Sequence, residues 1–306
     1  MPIPTTPEAW LSGTIPDLPT PFDAGGAVDL RAFRGLCERQ IAAGVTALVV
    51  GETAGEASTL SLAEHESIIH AAVEIARGRA RVIAGAGSNS TQHAIDLTRR
   101  AEEAGADAVM SVVPYYNKPM QEGIYEHFRA IADSTALPII LHDVPSRTVR
   151  ELANSTLARL AESRQFVGLR DGSGDVTRPL RLGSMLPSRF RLLTGDDATA
   201  LAYVANGGDG CISTMSNVTP GLCQTILSGM RHGRLRAACD LQSQLMPLQA
   251  CLSADHPAAL KYALSLLGLM HPTTRLPIVE LDATAKAAVA IALTAIDENL
   301  PETAEA

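Results

Sequence analysis

Phe166-Val167-Gly168-Leu169-Arg170-Asp171-Gly172-Ser173-Gly174-Asp175 passes from a short apolar run into two opposite charges, then a Gly/Ser turn and an acidic helix start. That is the sequence form of a buried parallel strand handing a polar tip to a loop. The form is not isolated. Ala43-Gly44-Val45-Thr46-Ala47-Leu48-Val49, Ala104-Gly105-Ala106-Asp107-Ala108-Val109-Met110 and Asn206-Gly207-Gly208-Asp209-Gly210-Cys211-Ile212 each read as a helix-ending glycine, a short turn and a buried strand. Further strand-like runs lie at 138–142, 166–170 and 190–194, each followed by a helical pattern.

Counted with a first extended segment at 13–22 and a strand at 81–84, the chain offers eight strands with following helices in about 230 residues. Repeated βα units of that size predict a parallel sheet, and eight of them close into a (β/α)8 TIM barrel. No Gly-rich dinucleotide loop follows the first strand, which argues against an open doubly wound sheet. Asp29 is placed as the cap of a helix running to about Ala43, Leu62 to Arg77 as a second helix, and Ser90 or Thr91 as the start of a third through Glu103. Beyond the barrel, 233–252, 256–268 and 280–298 look helical with no strands between, and Pro301 to Ala306 reads as a frayed polar tail. The expected division is a barrel over 1–230 and a C-terminal helical region over 231–306.

The bulk numbers bound the function. The 306 residues are 46% hydrophobic and 19% charged, with a formal net charge of −8. This disfavours nucleic acid or an anionic membrane as a partner, yet permits a local basic pocket for a small anion. The five cysteines form no C-x-x-C pair and have no His companion at zinc spacing. They read as reduced core thiols of a cytoplasmic protein. The start, Met1 to Trp10, lacks a basic-then-apolar signal pattern, and no apolar run suggests a membrane span.

In a barrel of this kind the chemistry gathers at the carboxyl ends of the strands. Those ends offer Thr53 and Glu56, Ser88, Tyr115 and Tyr116, His142 and Asp143, Arg147, Arg170 and Asp171, Asp196 and Asp197, Ser213 and Asn217. Glu56, Asp143 and Asp171 are better read as loop caps or arginine partners than as catalysts. No His/Asp/Glu set demands a metal, and no Gly-x-Ser-x-Gly elbow appears. The two phenols in Val-Pro-Tyr-Tyr-Asn-Lys-Pro and the planar fork of Arg147 in Val-Pro-Ser-Arg-Thr stand out as recognition elements.

These pieces carry a resemblance. Ala-Gly-Glu (54–56), Val-Pro-Tyr-Tyr-Asn-Lys-Pro (113–119), Val-Pro-Ser-Arg-Thr (144–148), Gly-Asp-Asp-Ala (195–198) and Gly-Cys-Ile-Ser (210–213) together resemble the dihydrodipicolinate synthase / N-acetylneuraminate lyase family of 2-oxo-acid aldolases, from about Gly13 to Pro277. The resemblance implies a (β/α)8 barrel with C-terminal helices, a homotetramer built as a dimer of dimers, and no cofactor. It also implies a sixth-strand lysine that forms a Schiff base with a 2-oxo acid such as pyruvate. That lysine position falls on Arg170, and the family's fifth-strand tyrosine falls on His142. The threonine pair after the second strand falls on Thr53 and Ala54, with a slip of one possible because Glu52 is unusual there. Tyr115 fits the tyrosine that reaches across a subunit interface and Tyr116 the one lining the pocket. Arg147 fits the rim arginine, and Ser213 joins the substrate-binding set.

An arginine has no free amine lone pair and cannot make the family's imine. The three lysines of the chain are Lys118 in the tyrosine loop, and Lys261 and Lys286 in the helical region; none maps to a strand end. The reading is therefore a family protein that binds a small carboxylate or 2-oxo acid without Schiff-base catalysis. Two alternatives stay open. One is a lyase or hydrolase of altered mechanism using Arg170, His142 and Tyr116; the other is a non-catalytic subunit of a mixed tetramer with an active paralogue.

Overall fold

The computed structural model describes residues 10–254 and 256–299, so the polar tail expected at 301–306 lies outside the described residues. Eight parallel strands follow one another: β1 Gly13–Pro16, β2 Ala47–Val50, β3 Arg81–Gly85, β4 Ala108–Val112, β5 Ile139–Asp143, β6 Phe166–Asp171, β7 Arg191–Thr194 and β8 Gly210–Ser213. Their order in the sheet is β1-β8-β7-β6-β5-β4-β3-β2. A bridge between Asp17 and Val49 brings the two ends together, with the Leu18 N–H donating to the Val49 carbonyl at 2.9 Å. This is the (β/α)8 barrel anticipated from the repeats, and the C-terminal helices are present as Leu235–Ala254, Ala258–Leu266 and Ala283–Asn299.

The repeated motif has a physical basis. Gly44, Gly105 and Gly207 all take positive φ, at 83°, 89° and 100°, which turns the chain from helix to strand at no steric cost. The aspartates two residues after the second and third of these glycines do the same work twice. Asp107 accepts from the Val82 N–H at 2.9 Å and pairs with Arg81; Asp209 accepts from the Leu192 N–H at 2.8 Å and pairs with Arg191. Each carboxylate thus pins one strand start to the preceding strand.

Two apolar layers result. One fills the space between strands and helices, with Leu48, Leu141, Leu169 and Phe128 among its members. The other fills the barrel, where Ile15, Val49, Ile83, Met110, Ile140, Val167, Leu193 and Ile212 meet Trp10 and Leu11. Strand side chains alternate between the layers. Near the amino end of β6 the register with β5 shifts, Ile139 pairing Phe166 and Ile140 pairing Gly168. After that bulge Leu141 and Leu169 face outward together, so His142 and Arg170 face inward together, above the apolar plug.

The segment 13–22 is strand over Gly13–Pro16 and then loop, as its prolines lead one to expect, since Pro19 and Pro21 have no N–H to continue a ladder. One local expectation shifts. The helix expected to open at Asp175 runs over Arg178–Leu182. Asp175 instead opens a turn ahead of that helix, accepting from the Thr177 N–H at 3.0 Å and hydroxyl at 2.7 Å.

Candidate active site

The inward and outward faces of the same strand ends have different fates. Outward, Asp143 and Asp171 both take Arg178, at 2.7 and 3.1 Å, and Asp171 also accepts from the Tyr203 hydroxyl at 3.1 Å. Glu56 is likewise structural: its Oε1 lies 2.5 Å from Lys261 Nζ, with both side chains fully buried. The bland reading of these three carboxylates therefore fits what they touch.

Inward, a cavity of about 320 Å³ opens at the carboxyl end of the barrel, lined among others by Thr53, His142, Arg147, Arg170, Gly195 and His256. Its floor is a chain of buried charges. Arg170 Nη1 donates to Asp17 Oδ2 at 2.8 Å and to Glu52 Oε2 at 3.4 Å. Glu52 Oε1 lies 3.0 Å from His142 Nδ1. The Thr53 hydroxyl donates to Glu52 Oε2 at 2.5 Å, and the Thr53 N–H reaches the same oxygen. Asp17 arrives by alternation, two residues after the inward-facing Ile15 of β1.

Burial works against the Glu52 charge, but the His142 ring, Arg170 and Thr53 outweigh it and hold the carboxyl well below its usual range. Burial lifts Asp17 to about 6 in spite of the Arg170 charge. Burial also works against the Arg170 charge, and the two carboxylates prevail and raise its pKa. His142 moves down, because burial outweighs the pull of Glu52. At neutral pH the floor therefore holds one guanidinium, two carboxylates and a neutral imidazole.

The sequence-derived candidates divide. Thr53, His142, Arg147 and Arg170 come together at the cavity. Arg147 is exposed there, and its guanidinium has no hydrogen bond or ion pair among the described residues. Ala54 is fully buried off the cavity, and Glu52 is the residue of this loop that touches both His142 and Arg170. Ser213 is buried too, its hydroxyl accepting from the Ser216 N–H at 2.9 Å. Tyr115 and Tyr116 do not line this cavity; they sit 39% and 88% exposed on a loop where Tyr116 and Lys118 both take positive φ. Of the three lysines none lines the cavity: Lys118 is in that loop, Lys261 is sealed against Glu56, and Lys286 pairs with Glu280 at 3.0 Å.

Three contributors escaped the sequence reading. Glu52 carried a signal, its oddness in the loop after β2. Asp17 was hidden in a proline-rich stretch read as extended to residue 22. His256 carried none: the chain after the helix Leu235–Ala254 brings it to the rim, where both ring nitrogens are buried without a partner among the described residues. Burial first, then Arg147 and Arg170, push its pKa down to about 4.

Residues 10–296 match the Dihydrodipicolinate synthetase family. The chain belongs to that family. Over 284 residues it is 48% identical to a 4-hydroxy-tetrahydrodipicolinate synthase of Hyphomonas neptunium, covering 92% of this chain and 97% of the relative. Among solved structures, the 4-hydroxy-tetrahydrodipicolinate synthase of Methylacidiphilum fumariolicum SolV superposes with a TM-score of 0.91 at 37% identity, over 94% of this chain and 96% of that one. A chloride-inhibited dihydrodipicolinate synthase of Acinetobacter baumannii, complexed with pyruvate, gives 0.90 at 38% identity, over 94% and 99%. This dihydrodipicolinate synthetase family chain has no helix, among the described residues, that is long and apolar enough to cross a membrane.

Proposed function

We propose that this family member binds a small carboxylate or pyruvate-like 2-oxo acid at the barrel mouth and does not capture it as a Schiff base. The observation that carries the reading is Arg170, inward on β6 at the position the resemblance gives to the lysine, with Asp17 and Glu52 already on its Nη1. Asp17 and Glu52 both sit on Nη1, so that end of the guanidinium is taken and cannot hold a ligand carboxylate. The carboxylate of the ligand therefore goes to Arg147, which lines the cavity and is unpaired among the described residues. Thr53, His142 and His256 supply the remaining polar contacts.

The structure of the Acinetobacter relative with pyruvate supports the ligand class. A tetrameric assembly is part of the proposal, because Tyr115, Tyr116 and Met120 stand exposed on one loop that a second copy would cover. So is a cytoplasmic location, with all five cysteines free. Incubation with pyruvate, then borohydride, then intact-mass measurement tests the central point. The expected result is no adduct beside a lysine-bearing family enzyme that labels fully; an adduct mapped to any lysine would overturn it.

A further inference from the structure

We propose that His142, oriented by Glu52, is a general base that enolises a 2-oxo acid bound in this cavity, with Arg170 receiving the developing oxyanion. The inference rests on the binding reading above and adds an activity to it.

The tautomer follows from the geometry. An ionised carboxylate only accepts hydrogen bonds. Glu52 Oε1 is 3.0 Å from Nδ1, so Nδ1 carries the proton and Nε2 carries a lone pair. Nε2 has no hydrogen-bond partner among the described residues, and the ring lines the cavity. A neutral imidazole with one nitrogen held by a carboxylate and the other open to a cavity is the arrangement of a base with its orienting group.

Two other candidates are less well placed, and His256, the second ring on this cavity, has no carboxylate hydrogen-bonded to it among the described residues to orient it or hold an imidazolium. The Thr53 hydroxyl proton is given to Glu52 at 2.5 Å. Tyr116 is 88% exposed on its loop.

A second, independent observation concerns Arg170. It is 95% buried, yet its Nε has no hydrogen-bond partner among the described residues. A buried donor left unpaired is costly to keep. The space in front of it is kept by Gly195: a side-chain carbon there would lie 3.1 Å from Nε. An oxygen at that spot is at hydrogen-bond distance from a donor that none of the described residues uses.

The step balances within these groups. The C–H bond next to the ligand carbonyl breaks, and its proton goes to His142 Nε2. The electron pair forms the carbon–carbon double bond, and the carbonyl π pair moves to oxygen as the enolate charge. The imidazolium is held by Glu52 and the oxyanion by Arg170. Reversal returns a proton to carbon, so no redox partner is needed.

The test uses the intact protein and pyruvate in D2O. Loss of the methyl proton signal is followed by NMR, saturation-transfer NMR reads binding in the same sample, and borohydride trapping runs alongside. The expected result is binding, no trapped adduct, and exchange that drops about 100-fold in His142→Asn, within the range for removing a general base. Asparagine keeps a donor to Glu52, which protects the fold, and a thermal melt checks it. Glu52→Gln is expected to slow exchange and move its pH profile, which loss of a merely structural contact would not do. Binding without exchange, or exchange unchanged in His142→Asn, would overturn the base while leaving the binding reading intact. Exchange accompanied by an adduct, or no binding at all, would overturn both.

Discussion

Arg170 Nη1 lies 2.8 Å from Asp17 Oδ2, so the residue at the centre of the mouth is tied to the segment that joins β1 to β2. The contact is structural as much as functional. Both side chains are almost fully buried, and Glu52 shares the same nitrogen. Removing one member of a buried charge set strands the others and costs about 3–5 kcal/mol. Arg170→Ala is expected to lose about that much in urea denaturation. Adding Asp17→Asn and Glu52→Gln to it is expected to recover part of the loss. A single variant as stable as wild type would mean that water replaces the guanidinium freely and that the mouth is far wetter than its burial indicates.

A lysine installed at position 170 is expected not to suffice for imine chemistry. A lysine at 170 would sit where two carboxylates now hold a guanidinium. Opposite charges at that distance favour the ammonium form, which is not a nucleophile. Arg170→Lys alone is therefore expected to give little or no borohydride-trapped pyruvate adduct at pH 7. Arg170→Lys with Asp17→Asn and Glu52→Gln is expected to label. Full labelling of the single variant would show that the carboxylates do not control the site.

What was legible depended on sequence distance. The barrel showed in its repeats, since a helix-ending glycine and a buried strand are local patterns written over a few residues. Asp107 and Asp209 recur at the same place in the repeat because the same strand start needs the same anchor. Arg170 and His142 showed because each ends an apolar run. Their partners did not. Asp17 and Arg170 are 153 residues apart, and Glu52 and His142 are 90 apart; only barrel closure makes them neighbours. The outward turn of Asp171 beside the inward turn of Arg170 depends on a bulge in the β5–β6 register. No residue type announces such a bulge.

Lys261 has a depressed pKa, about 8, set by burial against the pull of Glu56. An amine of that pKa would be reactive if it could be reached. It is fully buried, lies 3.8 Å from the centre of the Phe22 ring, and donates to the Thr273 carbonyl at 3.0 Å. Amine-directed acetylation of the native protein is expected to modify Lys118 and Lys286 and spare Lys261, read by peptide mapping. Lys261→Met is expected to cost about 3–5 kcal/mol by stranding Glu56. Lys261→Met with Glu56→Gln is expected to cost less. Ready acetylation of Lys261 would make it available to carbonyl ligands.

His256 and Asp17 give the mouth opposite responses to acid. The folded pKa of His256 is near 4, against an ordinary value of 6.5. Between those limits the unfolded chain binds more protons, so stability falls as pH falls from 6.5 through 4. Asp17 is raised from 3.8 to about 6, so the folded chain binds more protons in that window and stability rises as pH falls. The two partly cancel in the wild type, and a comparison with His256→Asn separates them. At pH 7 the histidine is neutral in both states and the variant measures only packing. At pH 4 wild type has lost up to about 3 kcal/mol through His256, since each tenfold loss of proton affinity on folding is worth about 1.4 kcal/mol, and the variant has not. The stability difference between wild type and variant is therefore expected to move in favour of the variant by about that amount from pH 7 to pH 4, measured by urea titration at each pH. His65, His127 and His142 are lowered too, but are common to both proteins and drop out of the difference. A difference that does not change with pH would place the His256 ring in solvent and take it off the cavity wall.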